Sequence, residues 1–105
     1  MADHIIKTLF KTLNERKMFD KEKSYTAQLL NNPNLLAKKI GEESTELIID
    51  LVKNNKTGII NESADLLYHL LVSWVSLGID PEEIWDELSK RTLKSGVEEK
   101  QSRKK

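Results

Sequence analysis

Two acidic clusters, Glu42, Glu43 and Glu46, then Glu62 and Asp65, are each written into an apolar helical stripe. At about 100° per residue, Glu43 falls on the line through Leu36, Ile40, Leu47 and Leu51, and Glu46 lies one turn on at the edge of that face. Asp50 continues the edge. Glu62 falls in the same way between Ile59 and Leu66, with Asp65 one turn later. Each helix therefore points an i, i+3 carboxylate pair inward. Two unit charges about 5 Å apart at an effective dielectric near 20 repel by roughly 3 kcal/mol, so four converging carboxylates need protons or a cation.

Oxygen-only ligation selects a hard divalent ion, Mg2+ or Mn2+ ahead of zinc. Glutamate is also a strong helix former, and such spacings recur on solvated faces. Two inward-facing clusters on consecutive helices favour a metal site between the helices. Carboxylate-bound Mg2+ suits phosphate chemistry, because the ion bridges phosphate oxygens, and an acid left partly free can take a proton from water. The chain has no Gly-rich phosphate loop, so metal and cationic side chains must hold the phosphates.

Lys39, four residues before Glu43, either binds such a phosphate or makes salt bridges with Glu43 and Glu46; Lys38 points elsewhere as a solvated charge. His69, four after Asp65, overlooks the same edge, though a lone histidine on an apolar helix is more often a hydrogen-bonded core residue than a ligand. Tyr25 and Trp74 are candidates to stack a base. Tyr25, near a cap and a loop, is the better one.

The elements that position these groups are helices throughout: apolar residues recur at three and four, and Gly and Pro are scarce. The first is expected from Asp3, as N-cap, to Arg16, with Ile5, Ile6, Leu9, Phe10 and Leu13 on its face. A charged loop follows over Lys17 to Lys23. Ser24 caps a short helix over Tyr25 to Asn31, ended by Asn32 and Pro33. Asn34 is expected to cap the first acidic helix, Leu35 to about Lys53, and Asn54 to Gly58 reads as a turn. The second acidic helix runs to Leu77, with Gly78 at C′. Asp80, Pro81 and Glu83 are an N-cap, a proline at N1 and an acid at N3, opening a last helix to about Arg91.

The second acidic helix is apolar almost all round, through Leu66, Leu67, Leu70, Leu71, Val72, Trp74 and Val75. Such a helix must be covered on every side, which favours a homodimer built as a larger bundle over a monomer. One domain over residues 1–92 and a polar, loosely ordered tail over 93–105 are expected.

With 105 residues the chain can bury only roughly 60 to 70% of its unfolded surface. Its 17 basic and 17 acidic residues balance, so no global field recruits nucleic acid or a membrane surface. The absence of cysteine excludes disulfides, thiolate catalysis and cysteine-based metal centres. No secretory pattern and no apolar run near 18 residues is present, and a cytoplasmic address is expected.

The EExxE cluster, fifteen intervening residues, and Glu62 with Asp65 resemble the signature of the all-α nucleoside triphosphate pyrophosphohydrolases, the MazG-like group. Ser24-Tyr25-Thr26, Lys39 to Glu43, Asp65 to Leu71 and the tail from Ser95 to Arg103 narrow this to a resemblance to the phosphoribosyl-ATP pyrophosphohydrolase family of histidine biosynthesis. The resemblance implies Mg2+-dependent hydrolysis of phosphoribosyl-ATP to phosphoribosyl-AMP and pyrophosphate. It implies Glu43, Glu46, Glu62 and Asp65 as metal ligands, with Glu42 as a further acid for water or a second ion. By charge and position, Lys39, Tyr25, Arg91 and Arg103 are candidates for substrate contacts. In many organisms a cysteine-dependent cyclohydrolase is fused to this domain; a short chain without cysteine should depend on a separate one. The rival readings are a house-cleaning enzyme for ordinary or damaged (deoxy)nucleoside triphosphates and a non-catalytic helical dimerisation module.

Overall fold

The computed structural model describes residues 2–18 and 24–92. Five α-helices occupy them: α1 (Ala2–Glu15), α2 (Tyr25–Leu30), α3 (Pro33–Val52), α4 (Lys56–Leu77) and α5 (Pro81–Thr92), with a 3-10 turn over Arg16–Met18. No strand occurs among the described residues, and the all-α expectation holds. No helix there is long and apolar enough to cross a membrane. Residues 93–105, where the polar tail with Arg103 is expected, and residues 19–23 of the charged loop expected over Lys17 to Lys23 lie outside the described residues.

α3 and α4 form a hairpin with the most extensive packing in the chain; α2 lies across both, and α1 packs on α4 and α5. Leu13, Leu29, Leu36, Leu71, Val72 and Val75 are the buried centre, with Ile6, Leu9, Phe10, Ile40, Tyr68 and Trp74 packed against it. α1 begins at Ala2 rather than being capped by Asp3, and its Ile5 is exposed rather than on the core face. Trp85 of α5 meets Trp74 of α4 edge to face with ring centres 6.2 Å apart.

The start of α3 differs from expectation by two residues. Asn32, not Asn34, is the cap, its Oδ1 accepting the Leu35 N–H at 3.1 Å, and Pro33 opens the helix instead of merely ending α2. Proline at N1 loses no hydrogen bond, because that N–H has no partner within the helix. Ser24 caps α2 as expected, accepting from the Ala27 N–H at 3.2 Å.

The turn between α3 and α4 is tighter than the expected Asn54 to Gly58 segment. Asn54 takes a left-handed φ of 55°, the Asn55 N–H returns to the Asp50 carbonyl at 2.9 Å, and the Asn54 N–H returns to Leu51 at 3.1 Å. These are the two bonds of a Schellman closure. Asn55 also caps α4, its Oδ1 accepting from the Gly58 N–H at 3.1 Å, so Gly58 belongs to the first turn of α4. Asp50 joins this turn through the Asn55 side-chain amide at 3.3 Å. Gly78 closes α4 at φ 69°, as the C′ expectation requires. Asp80 accepts the Glu82 N–H at 2.8 Å while Glu83 accepts the Asp80 N–H at 2.9 Å, the reciprocal cap read for α5.

The hairpin reaches beyond what the other described helices cover. Leu51, expected on the buried line of α3, is 63% exposed, and Ile48, Ile49 and Val52 of α3 and Ile60 and Leu67 of α4 are exposed with it.

Candidate metal centre between α3 and α4

Because the turn fixes α3 against α4, the two i, i+3 acid pairs face each other midway along the hairpin. Glu43, Glu62 and Asp65 each offer a carboxylate oxygen within 4.8 Å of the others, with Glu43 and Glu62 half-buried and Asp65 exposed. Glu62 is the centre of the group. Its Oε2 is enclosed, with no hydrogen-bond donor among the described residues, and the groups facing it are the carboxylates of Glu43 and Glu46. A proton shared first with Glu43 and then with Glu46, reinforced by burial and by both charges, pushes the Glu62 carboxyl up to about 8. Four acids of the expected set are thus in mutual reach, three as a compact ligand group and Glu46 through Glu62.

This donor set fits a divalent cation. The ligands are all carboxylate oxygens, the choice of Mg2+ or Mn2+. The enclosed oxygen without a donor calls for a positive partner, since an unpaired buried polar group is costly.

The other candidates are distributed around this centre. Glu42 is exposed and paired with Lys39 at 3.7 Å; with Glu46, Lys38, Gly41 and Thr45 it lines an open cavity of about 540 Å³ on the next face of α3. The ion pair of Lys39 is thus with Glu42, not with Glu43 or Glu46. Lys39, Glu43 and Asp65 all act on the Tyr25 hydroxyl, which places Tyr25 at the rim of the acid group. Burial raises the Tyr25 phenol, Lys39 opposes that rise, and Tyr68, Glu43 and Asp65 add to it. Arg91 lies on α5 and pairs there with Glu87 at 3.6 Å.

His69 is buried and outside the ligand group, as the core reading of a lone histidine expects. Its Nδ1 lies 2.8 Å from the Asp65 carbonyl oxygen and its Nε2 lies 2.9 Å from the Tyr25 hydroxyl. Next to it the Tyr68 hydroxyl meets Thr26 Oγ1 at 2.6 Å, Thr26 being fully enclosed. Tyr25 and Tyr68 stack with ring centres 6.3 Å apart and 11° between planes. Of this polar and aromatic seam between α2 and α4, the sequence reading weighs only Tyr25 and His69 individually; Thr26 and Tyr68 stand merely within the motifs that carry the family resemblance, and the seam itself is not foreseen. Its only local signal is the adjacency of Tyr25 with Thr26 and of Tyr68 with His69.

The hairpin thus carries inward carboxylates on both arms, as the two acidic clusters of the sequence lead one to expect. Comparison with known families is narrower: residues 6–92 match the model described as phosphoribosyl-ATP pyrophosphohydrolase. A phosphoribosyl-ATP pyrophosphatase of Azospirillum brasilense is 42% identical over 95% of this chain and 91% of its own length. One of Paramagnetospirillum magneticum is 42% identical over 96% of this chain and 94% of its own, and one of Geotalea daltonii 41% over 98% of each. The chain belongs to the phosphoribosyl-ATP pyrophosphohydrolase family.

Proposed function

We propose that this protein hydrolyses phosphoribosyl-ATP to phosphoribosyl-AMP and pyrophosphate, the second step of histidine biosynthesis, with Mg2+ held by Glu43, Glu46, Glu62 and Asp65. The observation that carries the reading is the convergence of Glu43, Glu62 and Asp65 within 4.8 Å around an enclosed Glu62 oxygen, in a chain of this family. Mn2+ suits the same oxygens. Bound there, the divalent ion would neutralise the charge of the phosphate chain and polarise the phosphorus under attack.

The chain's own residues supply the remainder. Glu42, outside the compact group but lining the same cavity as Glu46, accepts the proton of the attacking water. Lys39, held between Glu42 and the rim, answers the negative charge of the phosphates, and Tyr25 at that rim meets the nucleoside part. Arg91 and Arg103 are further candidates for the phosphoribosyl phosphate. The phosphoribosyl-AMP formed would pass to a separate cyclohydrolase.

A second copy of the chain would cover the hairpin. Ile48, Leu51, Val52 and Ile60 are 60, 63, 77 and 69% exposed, and monomers rarely leave so continuous an apolar face in water. A homodimer joined through α3 and α4 buries it.

The test is pyrophosphate release with Mg2+ from phosphoribosyl-ATP, with ATP, dCTP and dUTP for comparison. Turnover confined to phosphoribosyl-ATP is expected, and Glu43→Gln and Asp65→Asn should abolish it while the helical content stays unchanged. Preference for a simple triphosphate would refute the assignment in favour of a house-cleaning activity.

A further inference from the structure

His69 is joined on both sides. Its Nδ1 lies 2.8 Å from the backbone carbonyl of Asp65, an oxygen that only accepts, so in the neutral ring the proton sits on Nδ1. Nε2 is then an acceptor, and at 2.9 Å the Tyr25 hydroxyl is its donor. Tyr25 is otherwise held lightly. It is the first residue of α2, a helix of six residues, and its side chain is 44% exposed, whereas His69 is 5% exposed. The ring stacks with Tyr68 and meets His69 at a right angle, and these two are themselves in edge contact, so both lie on the same side of it.

We propose that His69 is a positioning residue: it holds the Tyr25 hydroxyl proton inward, so that Tyr25 meets the nucleotide as an aromatic face and a hydrogen-bond acceptor. The inference rests on the functional reading above and specifies it. A phenol oxygen whose proton is engaged offers lone pairs alone, so the substrate group it selects is a donor, which the nucleoside end supplies in its sugar hydroxyls and base amine. Phosphate oxygens only accept at neutral pH and find no proton there. Tyr25 therefore reads the nucleoside end of the substrate, and the phosphate chain is left to the acids, their ion and Lys39. The Asp65 carbonyl ties this orientation to the turn of α4 that carries the Asp65 carboxylate.

Steady-state kinetics on phosphoribosyl-ATP with Tyr25→Phe, His69→Leu, His69→Gln and the double variant Tyr25→Phe/His69→Leu test the assignment. Tyr25→Phe and His69→Leu should each raise KM about tenfold with kcat within about twofold, as expected when one charge-free polar contact to substrate is lost. In the Tyr25→Phe background His69→Leu should have almost no further effect on KM, because the two act as one unit. His69→Gln, which restores an acceptor near Nε2, should recover most of the loss. Binding of inorganic pyrophosphate with Mg2+, measured by calorimetry, should be the same in all variants.

An equal KM rise from His69→Leu in both backgrounds, or weakened pyrophosphate binding in step with KM, would overturn the proposal. So would a ¹⁵N spectrum of the wild type showing His69 protonated at Nε2 alone, a measurement that depends on no variant folding. If the wild type turns over no phosphoribosyl-ATP, the functional reading itself fails, whereas normal turnover with an unresponsive KM refutes the positioning role alone.

Discussion

Binding of Mg2+ at the hairpin should release a proton, and the amount follows from Glu62. Its carboxyl is pushed up to about 8 by the proton it shares with Glu43 and Glu46. At pH 7 such a group is protonated in roughly 0.9 of molecules, and at pH 9 in about 0.1. A carboxylate must lose its proton to ligate, so about 0.9 proton should leave per ion bound at pH 7 and almost none at pH 9. Apparent Mg2+ affinity should accordingly rise about tenfold per pH unit up to pH 8 and level off above it.

The assay is isothermal titration at pH 7 in three buffers of different ionisation enthalpy. The slope of apparent enthalpy against buffer enthalpy is the proton count. Glu62→Gln, which has no proton to lose, should bring the slope near zero and weaken binding. A slope near zero in the wild type at pH 7 would refute the account of Glu62 as the protonated centre of the group. Stability without metal has the matching sign. The folded-state pKa lies above the ordinary value near 4.3, so this contribution is fully present below pH 4 and is lost as pH rises through about 8. The melting temperature of the metal-free protein should therefore fall between pH 5 and 9, and saturating Mg2+ should offset the fall.

Three further outcomes are expected. Tyr68→Phe leaves Thr26 Oγ1 enclosed without its partner and should cost about 1–3 kcal/mol in urea unfolding. Asn54→Ala keeps the β-carbon at φ 55° but removes the short polar side chain that makes this conformation tolerable, and should destabilise by about 1 kcal/mol, whereas Asn54→Gly should not, as paired urea titrations would show. Ile60→Lys puts a charge on the uncovered hairpin face, where the side chain is 69% exposed, and should shift sedimentation toward monomer with helical content kept.

The sequence disclosed the acids more fully than the contacts around them. Period 3.6 alone sets Glu43 between Ile40 and Leu47 and Glu62 between Ile59 and Leu66, and puts Glu46 and Asp65 one turn on at the edge of the same faces. The Asp80-Pro81-Glu83 cap was readable for the same reason: its bonds join near neighbours. Where two asparagines competed, as Asn32 and Asn34 did around Pro33, local chemistry allowed either cap. Leu51 satisfied the buried period of α3 yet stands in the open, because periodicity gives the face of a helix but not how far its neighbours extend. Tyr25 and His69 are 44 residues apart, and no spacing rule joins them; that bond exists only because α2 lies across the hairpin.

The turn at Asn54 and Asn55 also limits how this chain can vary in length. Asn54 closes α3 and Asn55 both completes that closure and starts α4, so the joint has no slack residue. An insertion or deletion within α3 or α4 between Glu43 and Glu62 would rotate one acid pair by about 100° against the other and scatter the ligands. Drift in length should be tolerated instead outside the stretch from Glu43 to Asp65, making the hairpin a ruler whose gauge is the separation of its acids.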